Sequence, residues 1–219
     1  MKISELYDLN FTLAEDYLKK FTYAWEALGG IKEAIIEIGN SLDKSEFIEV
    51  AETVWVHVDA KIDSTAFLGA PCIIGRGTEV RHCAFIRGSV LIGKNCVVGN
   101  STELKNVILF DGVQVPHYNY VGDSILGYKA HMGAGSITSN VKSDKGLVVV
   151  KDGRNTIATG LKKFGAMLGD YVEIGCNSVL NPGTVIGKNT SVYPLSCVRG
   201  VVPADSIYKS DSQIVPKNK

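Results

Sequence analysis

The chain shows no excess of either charge. Its 23 basic residues meet 23 acidic ones over 219 positions, and the pI is near 6.9. That balance argues against nucleic-acid or membrane-surface partners, while leaving room for a local basic pocket. No run of about 18 apolar residues is present, so no transmembrane helix is expected. The N-terminus lacks the basic-then-apolar layout of a secretory signal. Cysteine is scarce and odd in number, with five residues at 72, 83, 96, 176 and 197 and no CxxC pair. A disulfide framework is therefore not expected, and the reading is a reducing, cytoplasmic location.

What the chain does have is a six-residue beat. Val56, Ile62, Leu68, Ile74, Val80, Ile86, Ile92, Val98 and Leu104 fall on one phase within residues 56–109. Four positions after each sit Ala60, Ala66, Cys72, Thr78, Ala84, Val90, Cys96, Thr102 and Ile108, nearly all small or β-branched. If about a quarter of residues are Ile, Leu or Val, nine consecutive coincidences have a chance on the order of 10⁻⁵. A second block puts Leu168, Ile174, Leu180, Ile186, Val192 and Val198 on one phase. A helix would repeat near 3.6 residues and an exposed strand every two. A period of six, often with glycine after the aliphatic residue, fits short strands joined by tight corners. Three hexads then make one turn of a triangular prism, about eighteen residues long. Cys72 and Cys96 point inward in this scheme, as small hydrophobes.

Residues 1–50 have another texture. Leu13, Tyr17, Leu18, Phe21, Trp25 and Leu28 recur at three- and four-residue spacings behind the candidate caps Asn10 and Thr12. They predict a helix ending at Gly29-Gly30. Ile31, Ile35, Ile36 and Ile38 predict a second, shorter helix ending near Gly39-Asn40. The aromatic stripe reads as packing, and the two helices as a cover for the open end of the prism. The expected division is a helical N-terminal cap over 1–50, the prism over 51–208 and a tail over 209–219. An inserted arm interrupts the prism at about 139–165, where LVVVKDGRNTI predicts a hairpin turning at Asp152-Gly153. Loops of such length usually serve function or reach a neighbour.

Three motifs follow one another with little gap: GNSTELK (99–105), PHYNYVGD (116–123) and MGAGSIT (132–138). With the hexads, they resemble the acetyltransferase domain of the bifunctional N-acetylglucosamine-1-phosphate uridyltransferase/glucosamine-1-phosphate acetyltransferase family. The stretch GLKKFGAMLGDYVEIGCNSVLNPGTVIG (160–187) is similar to the archaeal sugar-phosphate nucleotidyltransferase/acetyltransferase version. The resemblance covers about residues 55–205 and does not include the nucleotidyltransferase domain. It implies a mainly β fold, a left-handed parallel β-helix of hexapeptide repeats, assembled as a homotrimer. The activity it implies is acetyl-CoA-dependent N-acetylation of an amino-sugar phosphate such as glucosamine 1-phosphate, a step of UDP-N-acetylglucosamine biosynthesis. No metal, nucleic-acid or membrane partner is expected.

Such a reaction needs a neutral amine, so a base must take a proton as nitrogen attacks the thioester. Histidine titrates in a suitable range, and His117 follows Pro116 at a break in the ladder. By the resemblance His117 is the general base, and Glu103 orients its ring. Arg87 and Lys105 each follow a ladder residue, one turn apart, and are expected to stack as a phosphate site. The resemblance adds Tyr120 on the sugar phosphate, Asn140 in the site and Lys145 as the nearest counterpart of a later phosphate-binding lysine. His131 stands where the bacterial enzymes carry a sugar-contacting asparagine. On the acetyl-CoA side Ala134 matches, while Cys176 and Pro194 replace small residues. The arm, with Asn140 and Lys145, is expected to serve a site on an adjacent subunit.

Two rivals share the prism. A zinc carbonic anhydrase would need three histidines; His82, His117 and His131 are available, but no pair stands five residues apart. A non-catalytic or regulatory β-helix subunit partnering a sugar nucleotidyltransferase is expected to lack Glu103 or His117, and both are present.

Overall fold

The computed structural model describes residues 1–210 and 213–217. The hexads wind into a left-handed parallel β-helix of about nine turns with three flat faces. On the first face Val54–His57, Cys72–Ile74 and Val90–Ile92 pair in parallel, Val54 opposite Cys72 and Cys72 opposite Val90. The second face carries Lys61–Ile62, Glu79–Val80, Val97–Asn100, Gln114–His117 and His131–Met132. The third begins with Phe67–Leu68 and Phe85–Ile86. Two longer strands, Glu103–Leu109 and Tyr120–Leu126, run along the third face and bend round its corner onto the first.

The hexad phase is lost from the sequence after Leu104, yet the prism continues. Leu109 lies opposite Ile92, Val115 opposite Val98 and Val121 opposite Leu104, which are turns of seventeen residues in place of eighteen. The corner at Lys105-Asn106 uses two residues where the preceding turn uses Arg87-Gly88-Ser89. The ladder therefore runs on through the buried Leu109, Val115 and Val121, one step out of phase, and after a second two-residue corner at Gly122-Asp123 through Leu126 and Met132, two steps out. Only after Ile137–Thr138 does the arm leave; the prism resumes with Ala166–Leu168, Leu168 lying opposite Leu126.

Outward-facing side chains explain what the N-terminal segment does. On the first face Ile73, Leu91, Ile108, Ile125, Met167 and Val185 precede the ladder residue and point outward, yet all are buried. Each is worth roughly 1.5–3 kcal/mol once removed from water. The helix Ile31–Ser41 packs across Cys72–Ile74, Val90–Ile92 and Glu103–Leu109, and the 3₁₀ segment Ala24–Gly30 lies on Tyr120–Leu126. Tyr7 Oη donates to the Ile125 carbonyl at 3.2 Å, and the Asp170 N–H to the Leu6 carbonyl at 3.0 Å. The segment thus covers a side of the prism, where the sequence reading put it over an end.

The N-terminal elements also differ in detail. Short helices at Ile3–Leu6 and Glu15–Leu18 replace the long one predicted over 13–28, and Thr12 caps only a turn, accepting from the Ala14 N–H at 3.1 Å. Gly29-Gly30 does not stop the chain, since the 3₁₀ segment leads directly into Ile31–Ser41. Gly39 lies inside that helix because the Trp55 ring occupies the space of a side chain; a Cβ there would sit 2.3 Å from the indole. At the other terminus Ser206–Ser210 and Gln213–Pro216 pair antiparallel, so the tail expected from 209 is partly sheet. Positions 211, 212, 218 and 219 of that tail lie outside the described residues. Among the described residues, no helix is long and apolar enough to cross a membrane.

The arm contains the predicted hairpin, Val149–Asp152 with Asn155–Ala158. Asp152 pairs with Asn155, so the turn falls on Gly153-Arg154, one residue later than read from sequence. Val148 and Val150 are buried, and Phe164 stacks on Trp25 at 5.9 Å. The base of the arm therefore packs on its own chain.

Candidate active site

The third face lies between two corners, and the residues nominated from sequence gather at both. At the corner leading to the first face, Arg87 and Lys105 do fall on adjacent turns, Ile86 lying opposite Leu104. They do not stand as free cations. Arg87 Nη1 donates to Glu103 Oε1 at 2.8 Å, and Lys105 Nζ to Asp123 Oδ1 at 2.8 Å. The bond to Glu103 holds the exposed Arg87 guanidinium still more firmly protonated.

Asp123 is the hub of this corner. Its side chain is 4% exposed and also accepts from Asn106 Nδ2 at 3.0 Å and from Asn140 Nδ2. Three donors compensate a carboxylate that would be costly to bury alone. The two-residue corner puts Asn106 and Asp123 in the left-handed region, at φ 55° and 48°. Asn140 Nδ2 also reaches Tyr120 Oη at 3.2 Å. Burial pushes the Tyr120 phenol above its ordinary value of 10.0, and Asp123 adds to this, while the bond from Asn140 opposes it. Tyr120 therefore stays a neutral hydroxyl through the physiological range. Both ends of the arm are tied here: the Phe164 N–H donates to the Asn140 carbonyl at 3.0 Å and the Gly165 N–H to the Asp123 carbonyl at 2.8 Å. Asn140 thus belongs to the cluster of its own chain.

His117 stands at the opposite corner, where the second face turns into the third, three residues before Tyr120. It is exposed, and its ring makes no hydrogen bond among the described residues. Within one chain the expected Glu103–His117 bond is absent, because Glu103 faces Arg87. The backbone of the corner is firmly held nonetheless. Buried Asn119 accepts from the His117 N–H at 3.1 Å and donates to the Gly133 carbonyl at 2.9 Å; the Gly135 N–H donates to the His117 carbonyl at 3.0 Å. The pairings Gln114–His131, His131–Glu173 and Glu173–Ser191 carry the register from His117 to Ala134, Cys176 and Pro194. All four therefore occupy one edge of the prism on successive turns.

Two nominated residues lie elsewhere. His131 faces outward from the second face, its Nδ1 2.8 Å from Glu173 Oε2, and is not joined to the Tyr120 cluster. Lys145 is exposed on the arm and its side chain has no partner among the described residues; only its N–H is bound, to the Lys142 carbonyl at 3.0 Å. Among the described residues no group of three or more His, Cys, Asp and Glu could hold a metal ion, and His82 Nδ1 lies 2.8 Å from Thr65 Oγ1. Sequence reasoning missed Asp123, Asn106 and Asn119. Asp123 ends the motif PHYNYVGD one turn after Asn106, a pairing visible only once the seventeen-residue turn is known.

Residues 71–172 match the family model of the GMPPB C-terminal domain. The chain is 30% identical over 172 residues to a bifunctional sugar-1-phosphate nucleotidylyltransferase/acetyltransferase of Sulfurisphaera tokodaii, covering 78% of this chain and 42% of that protein. It is 31% identical over 188 residues to the bifunctional protein GlmU of Methanococcus aeolicus, covering 78% of this chain and 46% of that one. Among solved structures, the polySia specific acetyltransferase NeuO aligns over 74% of this chain and 82% of that chain, with a TM-score of 0.49 and 14% identity. The chain spans less than half the length of the two curated relatives.

Proposed function

We propose, since the repeat domain resembles the acetyltransferase-type region of these bifunctional proteins, that the chain is an acetyl-CoA-dependent N-acetyltransferase acting on an amino-sugar phosphate such as glucosamine 1-phosphate. The observation that carries this reading is the arrangement on the third face. An exposed imidazole at one edge heads a column through Ala134, Cys176 and Pro194, and a polar cluster rich in donors lies along the other edge.

In this reading acetyl-CoA lies along the edge marked by Ala134, Cys176 and Pro194, with its thioester beside His117. The amino sugar occupies the third face, its polar groups toward Tyr120, Asn140, Arg87 and Lys105. His117 takes a proton from the amine as nitrogen attacks the carbonyl carbon. The C–S bond then breaks, and the proton passes on to the departing thiolate. No acyl-enzyme is required. Glu103 acts through Arg87, fixing the guanidinium over the face. Neighbouring copies in a homotrimer exclude water from the cleft and strengthen every charge contact inside it.

The test is release of free thiol from acetyl-CoA with a panel of hexosamines and their 1-phosphates. Turnover with glucosamine 1-phosphate and none with its N-acetylated form is expected. A folded protein inert toward the whole panel overturns the assignment in favour of a non-catalytic β-helix subunit.

A further inference from the structure

Both cations of the Asp123 cluster already face a carboxylate, so that cluster offers little uncompensated positive charge to an incoming phosphate. Uncompensated cations lie further along the same corner, where the arm folds over the last turns. Gly183 and Gly200 stand there in the left-handed region, and a Cβ on either would meet a carbonyl oxygen of the arm, Val149 at 2.6 Å or Lys151 at 2.8 Å. The arm strand is thereby seated directly on the corner.

A cavity of about 280 Å³ remains between arm and corner, lined among others by Ser139, Lys142, Asp144, Lys151, Asn181 and Arg199. These supply three cations against one carboxylate. Lys142 Nζ is paired with Asp144 at 3.0 Å. Lys151 and Arg199 come from different elements, the arm hairpin and the corner after Cys197–Val198, and neither side chain has an acidic or hydrogen-bonding partner among the described residues. Both are exposed, so their mutual repulsion is screened, and an anion seated between them gains from both charges. The guanidinium fork matches phosphate oxygens bidentately, the ammonium adds a point charge, and the Ser139 hydroxyl adds a donor. The space admits several waters, and so has room for phosphoryl oxygens.

We propose that this arm cavity is a phosphate-binding site, in which Arg199 and Lys151 hold the phosphoryl oxygens of a phosphorylated ligand. Ser139 in its wall is the chain neighbour of Asn140, whose side chain reaches the Tyr120 cluster, so the cavity adjoins the proposed acceptor site. The phosphate could therefore belong to the acceptor sugar or to the nucleotide part of acetyl-CoA; naming either source rests on the activity proposed above, whereas the binding itself does not.

The experiment is calorimetric titration of the full chain with inorganic pyrophosphate at low ionic strength, then with glucosamine 1-phosphate and with coenzyme A. Wild type is expected to bind pyrophosphate, more weakly as salt is raised. The double variant Arg199→Gln/Lys151→Gln should lose roughly ten- to a hundredfold in affinity. The charge-keeping pair Arg199→Lys/Lys151→Arg should retain most of it and controls for folding. A parallel loss for glucosamine 1-phosphate places the acceptor's phosphate here, and a parallel loss for coenzyme A places the co-substrate's. Failure of wild type to bind pyrophosphate, or equal affinity in the Gln pair, overturns the proposal. Neither result requires turnover, so both leave the acetyltransferase assignment to its own test.

Discussion

At the scale of single residues, His117 and Asp123 are opposites, and their replacements should separate chemistry from stability. The His117 ring is exposed and has no hydrogen bond among the described residues, so His117→Ala should change stability by no more than about 0.5 kcal/mol. Turnover at neutral pH should fall roughly 10²- to 10⁴-fold, the range for loss of a general base. Wild-type turnover in that variant removes His117 from the mechanism. Asp123→Ala deletes a buried carboxylate and strands Lys105, while Asn106 and Asn140 each lose one of two acceptors. Loss of one partner of a buried pair costs about 3–5 kcal/mol, and here the lower end applies because the Lys105 side chain is 26% exposed. Urea denaturation should show it; an unchanged midpoint would mean Asp123 is no hub. The cysteines give a third reading. Burial pushes the Cys72 and Cys96 thiols from 9.0 up to about 12, so only Cys83, Cys176 and Cys197 should react with a thiol reagent in the native state. The two buried thiols leave stability untouched below pH 9 and lower it as pH rises from 9 toward 12, where the unfolded chain ionises first. Five fast thiols in native protein would contradict the packing. The inward places of Cys72 and Cys96 were legible in the hexad phase. The role of Asp123 was not, because a turn of eighteen does not set it beside Asn106.

At the scale of elements, the corners decide what the strands can present. Gly99 lies where the turn carrying His117 passes closest to the turn before it; a Cβ there would come 1.5 Å from the Pro116 carbonyl oxygen. Backbone cannot yield that far without moving the Pro116-His117 corner. Gly99→Ala should therefore destabilise by about 1–3 kcal/mol and lower turnover beyond what the lost stability explains. The pair of measurements is a melt and a rate at a temperature where both proteins are folded. An alanine variant with wild-type rate would show that the corner can shift without consequence. Element boundaries were only partly legible for a related reason. Short strands announce themselves through a strict period, and the hairpin through Asp152-Gly153 between β-branched flanks. The N-terminal helices did not, because their borders are set by the first face beneath them: Trp55 fills the groove at Gly39, and Phe164 meets Trp25. The signal for that packing was present all along, in the aliphatic pairs CII, VLI, VIL, SIL, AML and TVI on every third strand.

At the scale of the whole molecule, covering the first face restricts how copies can meet. The N-terminal segment buries that face along much of the prism, leaving the second and third faces to form any contact between copies. The second face presents mainly polar outward residues, Lys61, Glu79, Gln114, His131, Glu173 and Ser191. The third begins with Phe67 and Phe85, 58% and 43% exposed, packed edge to face with centroids 5.6 Å apart. In the proposed homotrimer this aromatic pair is the natural anchor, since a desolvated Phe pair contributes through area and ring geometry while charged rims contribute little. It also sits one turn before Glu103 and two before Tyr120 on the same face, so packing against a neighbour there shields the cleft between His117 and the Asp123 cluster. Phe85→Glu places a charge on that surface without disturbing the core, because Phe85 points out and Ile86 points in. Sedimentation should then show monomers where the wild type shows trimers, and turnover should fall with assembly. The Phe85→Glu chain should keep its far-ultraviolet spectrum and urea midpoint within about 1 kcal/mol of wild type once concentration effects are removed. Trimers that survive Phe85→Glu unchanged would place the contact on another face, and full activity in a proven monomer would show that one prism encloses the reaction by itself.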